Sequence, residues 1–246
     1  MTMLEHRRAV VIGTHSRLGA RICCTLAEEG AAVVGIDHRA DRPVEPSLRD
    51  HLVADMTDTS AAEAAMRHAE DVLGTIDAVV SGAAVQRGGA VWEMGDEDWS
   101  AVISGTLTTT RNALRFALPA MTKGGAIVAL SSVNATLHHP HISAYSAAKG
   151  AVDALVRQAA LDVAPRGIRV NAVAPAYVDG DTHIAAHGYP LGYTPTSAHV
   201  AGAVAFLLSE RAAGITGVIL PVDAGLSTVS AATMSRPELR ALLFDE

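Results

Sequence analysis

Two kinds of hydrophobic pattern alternate along the chain. Short apolar runs rich in Val, Ile and Ala fall at residues 9–12, 31–36, 51–54, 78–80, 126–130, 168–173 and 218–222. Most carry no polar residue at alternate positions, which is the pattern of strands buried on both faces of a parallel sheet. Between the runs, residues 18–29, 60–73, 96–121, 144–164 and 197–208 repeat apolar positions with helical period. This alternation predicts an α/β fold, a doubly wound parallel sheet with helices on both faces. The connection at 37–51 holds Pro43 and Pro46 among many charges, so a loop is expected there in place of a crossover helix. No linker rich in Gly, Ser or Pro interrupts the chain, and residues 1–246 are expected to form one domain.

Composition narrows the function classes. With 49% hydrophobic and 18% charged residues, the chain can bury a large core and is not a disordered protein. A net charge of -7 without any basic cluster argues against nucleic acid and anionic membranes as partners. Apolar runs such as 203–208 fall far short of the roughly 18 residues that a membrane span needs. Cys23 and Cys24 are sequence neighbours, which cannot easily adopt disulfide geometry, and they read as core residues in a reducing compartment. Residues 1–8 place charges directly before the first apolar run, so the expected location is the cytoplasm.

The first run leads into Gly13-Thr14-His15-Ser16-Arg17-Leu18-Gly19, after which a helix begins. Glycines at such a turn let backbone amides approach a pyrophosphate, whose charge the helix N-terminus stabilises. The same glycines could serve an ordinary tight turn. Asp37 tips the balance toward a dinucleotide. It ends the second run, where a carboxylate accepts hydrogen bonds from the adenosine ribose and repels a 2′-phosphate, so NAD is favoured over NADP. Gly13, Ser16, Arg17, Leu18, Gly19 and Asp37 are the candidate cofactor contacts in this part of the chain.

Tyr145 and Lys149 stand four residues apart at the start of a long apolar helix, which puts phenol and ammonium on one face. A phenol with a pKa near 10 is a poor proton donor and acceptor at neutral pH, and a neighbouring cation is expected to lower that value. Ser132, at the carboxyl end of the fifth run, is placed to hydrogen-bond a substrate oxygen. Any helix can carry a Tyr-x-x-x-Lys pair, but the serine, the glycine turn and the strand order give this one a catalytic reading.

Together these residues resemble the short-chain dehydrogenase/reductase family. The likeness runs from about Arg7 to Leu226 and includes Gly13, Gly19, Asp37, Asp55, Ser132, Tyr145 and Lys149. It extends to the stretch 169–175, to Ile215-Thr216-Gly217 and to Val222-Asp223. The resemblance implies a seven-stranded Rossmann-type sheet, a nicotinamide cofactor and assembly as a homotetramer or homodimer. It implies cofactor contacts at Asp55, Met56, Gly82, Pro175 and Val178, with Asp55 near the adenine. Tyr145 would exchange the proton at the substrate oxygen, Ser132 would position that oxygen, and Lys149 would hold the nicotinamide ribose.

The chain departs from the family pattern at several points. Arg17 replaces the middle glycine of the turn, as in the pteridine-reductase branch, where it accompanies a phosphorylated cofactor; this pulls against Asp37. Ser81-Gly82-Ala83-Ala84 stands where the family shows Asn-Asn-Ala-Gly. Thr106 takes the place of the asparagine of the proton relay, and Ala176 and Gly180 replace a glycine and a threonine near the cofactor carboxamide.

Two function classes follow. One is an oxidoreductase moving a hydride between NAD(H) and a small secondary alcohol, ketone or cyclic diol. The other is a cofactor-binding regulator or scaffold with little activity, for which Thr106, Arg17 and Gly180 speak. His138, His139 and His141 border the expected substrate side without a Cys or carboxylate to complete a metal set, so no metal is expected there. Residues 180–197, with Tyr189 and Tyr193, form a candidate lid that Tyr177 flanks, and Trp92 and Trp99 are expected to pack the central helix against its neighbour.

Overall fold

The computed structural model describes residues 2–41, 45–122, 124–180 and 188–244. Seven strands, β1 Arg8–Ile12, β2 Ala32–Asp37, β3 Asp50–Val53, β4 Ala78–Ser81, β5 Gly125–Leu130, β6 Ile168–Pro175 and β7 Ile219–Val222, form one sheet in the order β3-β2-β1-β4-β5-β6-β7. Every neighbouring pair is parallel. The doubly wound parallel sheet expected from the sequence is therefore present, and each strand lies within two residues of its predicted limits.

Helices cover both faces because both faces of the central strands are apolar. On one side α2 (Thr59–Leu73), α4 (Thr109–Ala120) and α5 (Ser143–Val163) pack over Val10, Val79, Ile127 and Val170. On the other, α1 (Arg17–Glu28) and α6 (Ser197–Leu208) cover Val11, Val33, Val80 and Val128. The winding reverses between β1 and β4, which leaves a crevice at the carboxyl ends of these strands.

The structure corrects three details of the sequence reading. The helix expected over 96–121 is not continuous: α3 (Asp96–Ile103) passes through one widened π-type turn at Ser104–Thr108 before α4. Within that turn lies Gly105, where a Cβ would come within 2.4 Å of Val85 Cγ2, so the segment after β4 packs against the helix only because this residue has no side chain. Trp92 and Trp99 do not pack the central helix; they are 81% and 40% exposed. Of the two thiols only Cys23 is fully buried, which pushes its pKa up to about 12, whereas Cys24 is half-buried. Of the candidate lid, residues 181–187 lie outside the described residues, as does Pro43. The remainder of the lid is anchored: Leu191 N–H donates to the Ala224 carbonyl, and the buried Tyr189 hydrogen-bonds the backbone at Tyr177. No helix among the described residues is long and apolar enough to cross a membrane.

Candidate active site

A cleft of about 440 Å³ runs across the carboxyl ends of the strands, from Asp37 and the turn after β1 to Ser132, Tyr145 and Lys149. Gly13, Ser16, Leu18, Gly82, Pro175 and Val178 line it. A second cavity of about 260 Å³ continues from Asp37 toward Asp55 and Met56. Asn112, on α4, fixes that end: its side-chain amide donates to the Met56 carbonyl at 2.9 Å.

The turn after β1 owes its shape to contacts within the chain. Gly13 has φ +92°, and a Cβ there would lie 2.6 Å from the Ala83 nitrogen. A Cβ on Gly19 would lie 2.0 Å from the Gly13 carbonyl oxygen, so α1 can start only where no side chain intervenes. Ser16 caps the helix by accepting from the Gly19 N–H at 2.9 Å. Gly19 thus shapes the cradle from beneath without lining it. Arg17 also stays out of the cleft wall; its exposed guanidinium pairs with Asp179 at 3.3 Å, beside the start of α6. Asp179 in turn accepts from the Ser197 backbone N–H at 3.0 Å, and the Ser197 bonds outweigh its burial to hold its carboxyl below the usual range.

Asp37 is buried at the tip of β2, and both its oxygens have partners. One accepts from the His15 N–H at 3.0 Å and the other from the Arg39 N–H at 3.1 Å, with His38 Nδ1 at 3.3 Å. His15 and His51 stand with ring centres 5.0 Å apart beside it, and His51 contacts the Thr14 hydroxyl at 3.1 Å. Burial, then His15, lowers the pKa of His51. His15 and His38 are cleft residues that sequence reasoning passed over, because single histidines in a turn carry no spacing signal.

At the other end, the Ser132 hydroxyl hydrogen-bonds the Tyr145 phenol. Lys149 is 2% exposed and donates from Nζ to the Leu130 carbonyl at 2.5 Å. Desolvation brings its pKa down to about 8, against an upward pull from Asp153. The expected lowering of the Tyr145 pKa by Lys149 is not realised in this structure. Burial raises the phenol and the Ser132 hydrogen bond only moderates the rise, because the ammonium sits over the ring face and spends a hydrogen bond on Leu130. Thr106, in the place of the relay asparagine, is fully buried, accepting from the Val85 N–H at 3.2 Å and donating to the Val85 carbonyl at 3.4 Å.

A third cavity, of about 280 Å³, opens beside Trp92, His138, His139, His141 and Ser146. The Ser146 hydroxyl is buried there with no hydrogen-bond partner. His141 has φ +65°, a strained value for a residue with a side chain, and the Gly89–Ile142 bridge holds it next to the segment after β4.

Comparison with known proteins places these features in context. The family model described as enoyl-(acyl carrier protein) reductase matches residues 13–227. The cis-4-hydroxycyclohexanecarboxylate dehydrogenase of Sinomonas cyclohexanicum is 37% identical over 243 residues, covering 91% of this chain and 97% of that protein. A protein of Xanthobacter autotrophicus named inactive 2-(S)-hydroxypropyl-CoM dehydrogenase 2 is 37% identical over 193 residues, 72% of this chain and 84% of its own length. Among solved structures, carveol dehydrogenase from Mycobacterium avium in complex with NAD superposes with a TM-score of 0.86 at 25% identity, covering 93% of this chain and all of that one. With a family match over most of its length and relatives at this level of identity, the chain belongs to the short-chain dehydrogenase/reductase family of oxidoreductases that use a nicotinamide cofactor.

Proposed function

We propose that this chain interconverts a small cyclic secondary alcohol and its ketone with NAD(H). The observation that carries the reading is the meeting of Ser132, Tyr145 and Lys149 in the same cleft as Asp37. The donor set suits a dinucleotide: the capped N-terminus of α1 presents amides for a pyrophosphate, and Asp37 presents a carboxylate for ribose hydroxyls. Asp37 also favours NAD over NADP, since a 2′-phosphate would meet its negative charge.

In the alcohol-to-ketone direction the substrate carbon loses a hydride and its oxygen loses a proton. The nicotinamide, when bound, supplies the acceptor for the hydride. Tyr145 takes the proton at its phenol oxygen, and in the reverse direction returns it. Ser132 donates to the substrate oxygen and orients it toward Tyr145, a geometric contribution as well as an electrostatic one. Lys149 offers its ammonium to the nicotinamide ribose, beside the phenol that exchanges the proton.

The substrate reading is an alicyclic ring bearing the hydroxyl at one end and a polar, preferably anionic, group at the other. The Sinomonas relative is named for such a hydroxy acid, and the cavity lined by His138, His139 and His141 offers imidazole hydrogen-bonding groups beside the helix that carries Tyr145. Self-association as a homotetramer or homodimer belongs to the same reading, favoured by the exposed Trp99 and Leu161, and light scattering measures it.

A regulator or scaffold that binds cofactor without turnover is the second reading. The Thr106 hydroxyl, committed to Val85 on both sides, and the relative named as inactive favour it. NADH fluorescence titration followed by a turnover screen of hydroxycyclohexane carboxylates, unsubstituted cyclohexanols and their ketones separates the two. Turnover of the hydroxy acids supports the enzyme; NADH binding with no turnover across the panel selects the regulator.

A further inference from the structure

Helix α5 places Tyr145, Lys149 and Asp153 four residues apart on one face. Each is tied to a different residue of the end of β5. Tyr145 meets the Ser132 hydroxyl, Lys149 donates to the Leu130 carbonyl, and Asp153 Oδ1 accepts from the Ser131 hydroxyl at 2.5 Å. The first two belong to the proposed chemistry, whereas Asp153 has had no part in it. Yet Asp153 is 4% exposed, and a carboxylate is rarely withdrawn from water without compensating partners.

Its surroundings supply them. Ser131 reaches it from β5, and on α5 the cations of Lys149 and Arg157 stand one turn before and one turn after. Burial lifts the carboxyl above its usual range, and Ser131, Arg157 and Lys149 oppose that rise. Lys149, for its part, faces the Leu130 carbonyl, the Tyr145 ring with its centre 5.6 Å away, and the charge of Asp153. A fully buried ammonium loses its hydration, and the anion one turn along the helix is the charge that opposes the loss.

We propose that Asp153 is a positioning residue for the Tyr145–Lys149 pair: anchored on Ser131, its carboxylate keeps Lys149 an ammonium ion at neutral pH and holds the strand end that carries Ser132. The inference rests on the reading of Lys149 as the ammonium that holds the nicotinamide ribose beside Tyr145, but its test requires neither cofactor nor substrate. Burial brings the Lys149 pKa down to about 8, so a further fall of about one unit would leave only about half of it charged at pH 7.

The sequence holds two lysines, Lys123 and Lys149. Lysine-selective ¹³Cε labelling of the full chain therefore gives two side-chain signals, and Lys149→Met identifies the one from the site. The expected result is a Lys149 midpoint near pH 8 that falls in Asp153→Asn by about one pH unit, a tenfold loss of proton affinity. Asp153→Glu, which keeps the charge, restores most of the shift. A merely structural carboxylate would leave the midpoint in place, and an unmoved midpoint in Asp153→Asn overturns the proposal. Should that variant not fold, Ser131→Ala gives the second measurement: loss of the anchor lowers the Lys149 midpoint by a smaller step, and no movement there overturns the proposal equally. Failure of the wild-type chain to turn over any alcohol would sink the functional reading and leave this titration intact.

Discussion

The ammonium of Lys149 lies over the face of the Tyr145 ring, 5.6 Å from its centre. At this distance the attraction is that of a cation for the ring quadrupole, which the hydroxyl does not need to be present to maintain. Tyr145→Phe therefore removes the proton-transferring oxygen while leaving the lysine over an aromatic face. Its expected effect is a fall in turnover of about 10²- to 10⁴-fold with NADH affinity retained, measured by steady-state assay and fluorescence titration. Retained turnover would take the phenol out of the mechanism.

Asp37 governs the choice between the two nicotinamide dinucleotides in this reading. Its oxygens already accept from His15 and Arg39 backbone amides, so its replacement by Ser also leaves the buried His15 N–H and the part-buried Arg39 N–H to be satisfied. Relief of like-charge repulsion should raise kcat/KM with NADP relative to NAD by about tenfold or more, some 1.4 kcal/mol. An unchanged ratio would show that the preference is set elsewhere, with Arg17 the first residue to test.

Lys149 makes fold stability depend on alkaline pH. Its folded pKa is about 8 against 10.5 in an ordinary environment, so between these values the unfolded chain binds more protons. Stability from this group is thus lost as pH falls through 8 and is fully present above 10.5, and the span of about 2.5 pH units corresponds to roughly 3 kcal/mol. Denaturant melts of the wild-type chain and Lys149→Met should diverge across this window, with the wild type gaining stability relative to the variant from pH 7.5 to 10. Parallel curves would contradict the buried charge.

Gly19 admits no side chain. Gly19→Ala brings a methyl group to within 2.0 Å of the Gly13 oxygen, backbone that has no rotamer by which to yield. Overpacking of this kind should destabilise by about 2 kcal/mol or more, read as a lower melting temperature together with weaker NADH binding. Gly74→Ala, at a helix end where a Cβ meets nothing within 4 Å, separates the local strain of a positive φ from such a clash.

The sheet was legible because its strands are apolar on both faces, a pattern that little else produces, and the limits of α6 could be read to the residue. The widened turn at Ser104–Thr108 was not, since the apolar spacing runs on through it and its packing partner Val85 lies in a different segment of the chain. In the site, Tyr145, Lys149, Ser132 and Asp37 were legible from type and spacing, and the structure brings all four to one cleft. Asp153 was silent because an acid on a helix ordinarily marks the solvent side, and only the packing of α5 against the end of β5 turns it inward. The relation between Lys149 and Tyr145 was half legible: helical spacing gave their shared face but not the Leu130 carbonyl that takes a hydrogen bond from the ammonium.

The turn after β1 is held open from within: Gly13 against Ala83, Gly19 against Gly13, Ser16 across the helix start. None of these contacts waits for a ligand, so this segment enters the encounter already in its binding shape. Little backbone ordering is then left for association to oppose, and dinucleotide binding at this end should show a small conformational-entropy penalty by calorimetry. A rigid receptor of this kind discriminates by fit at the moment of contact and has scant capacity to remould itself around a bulkier guest.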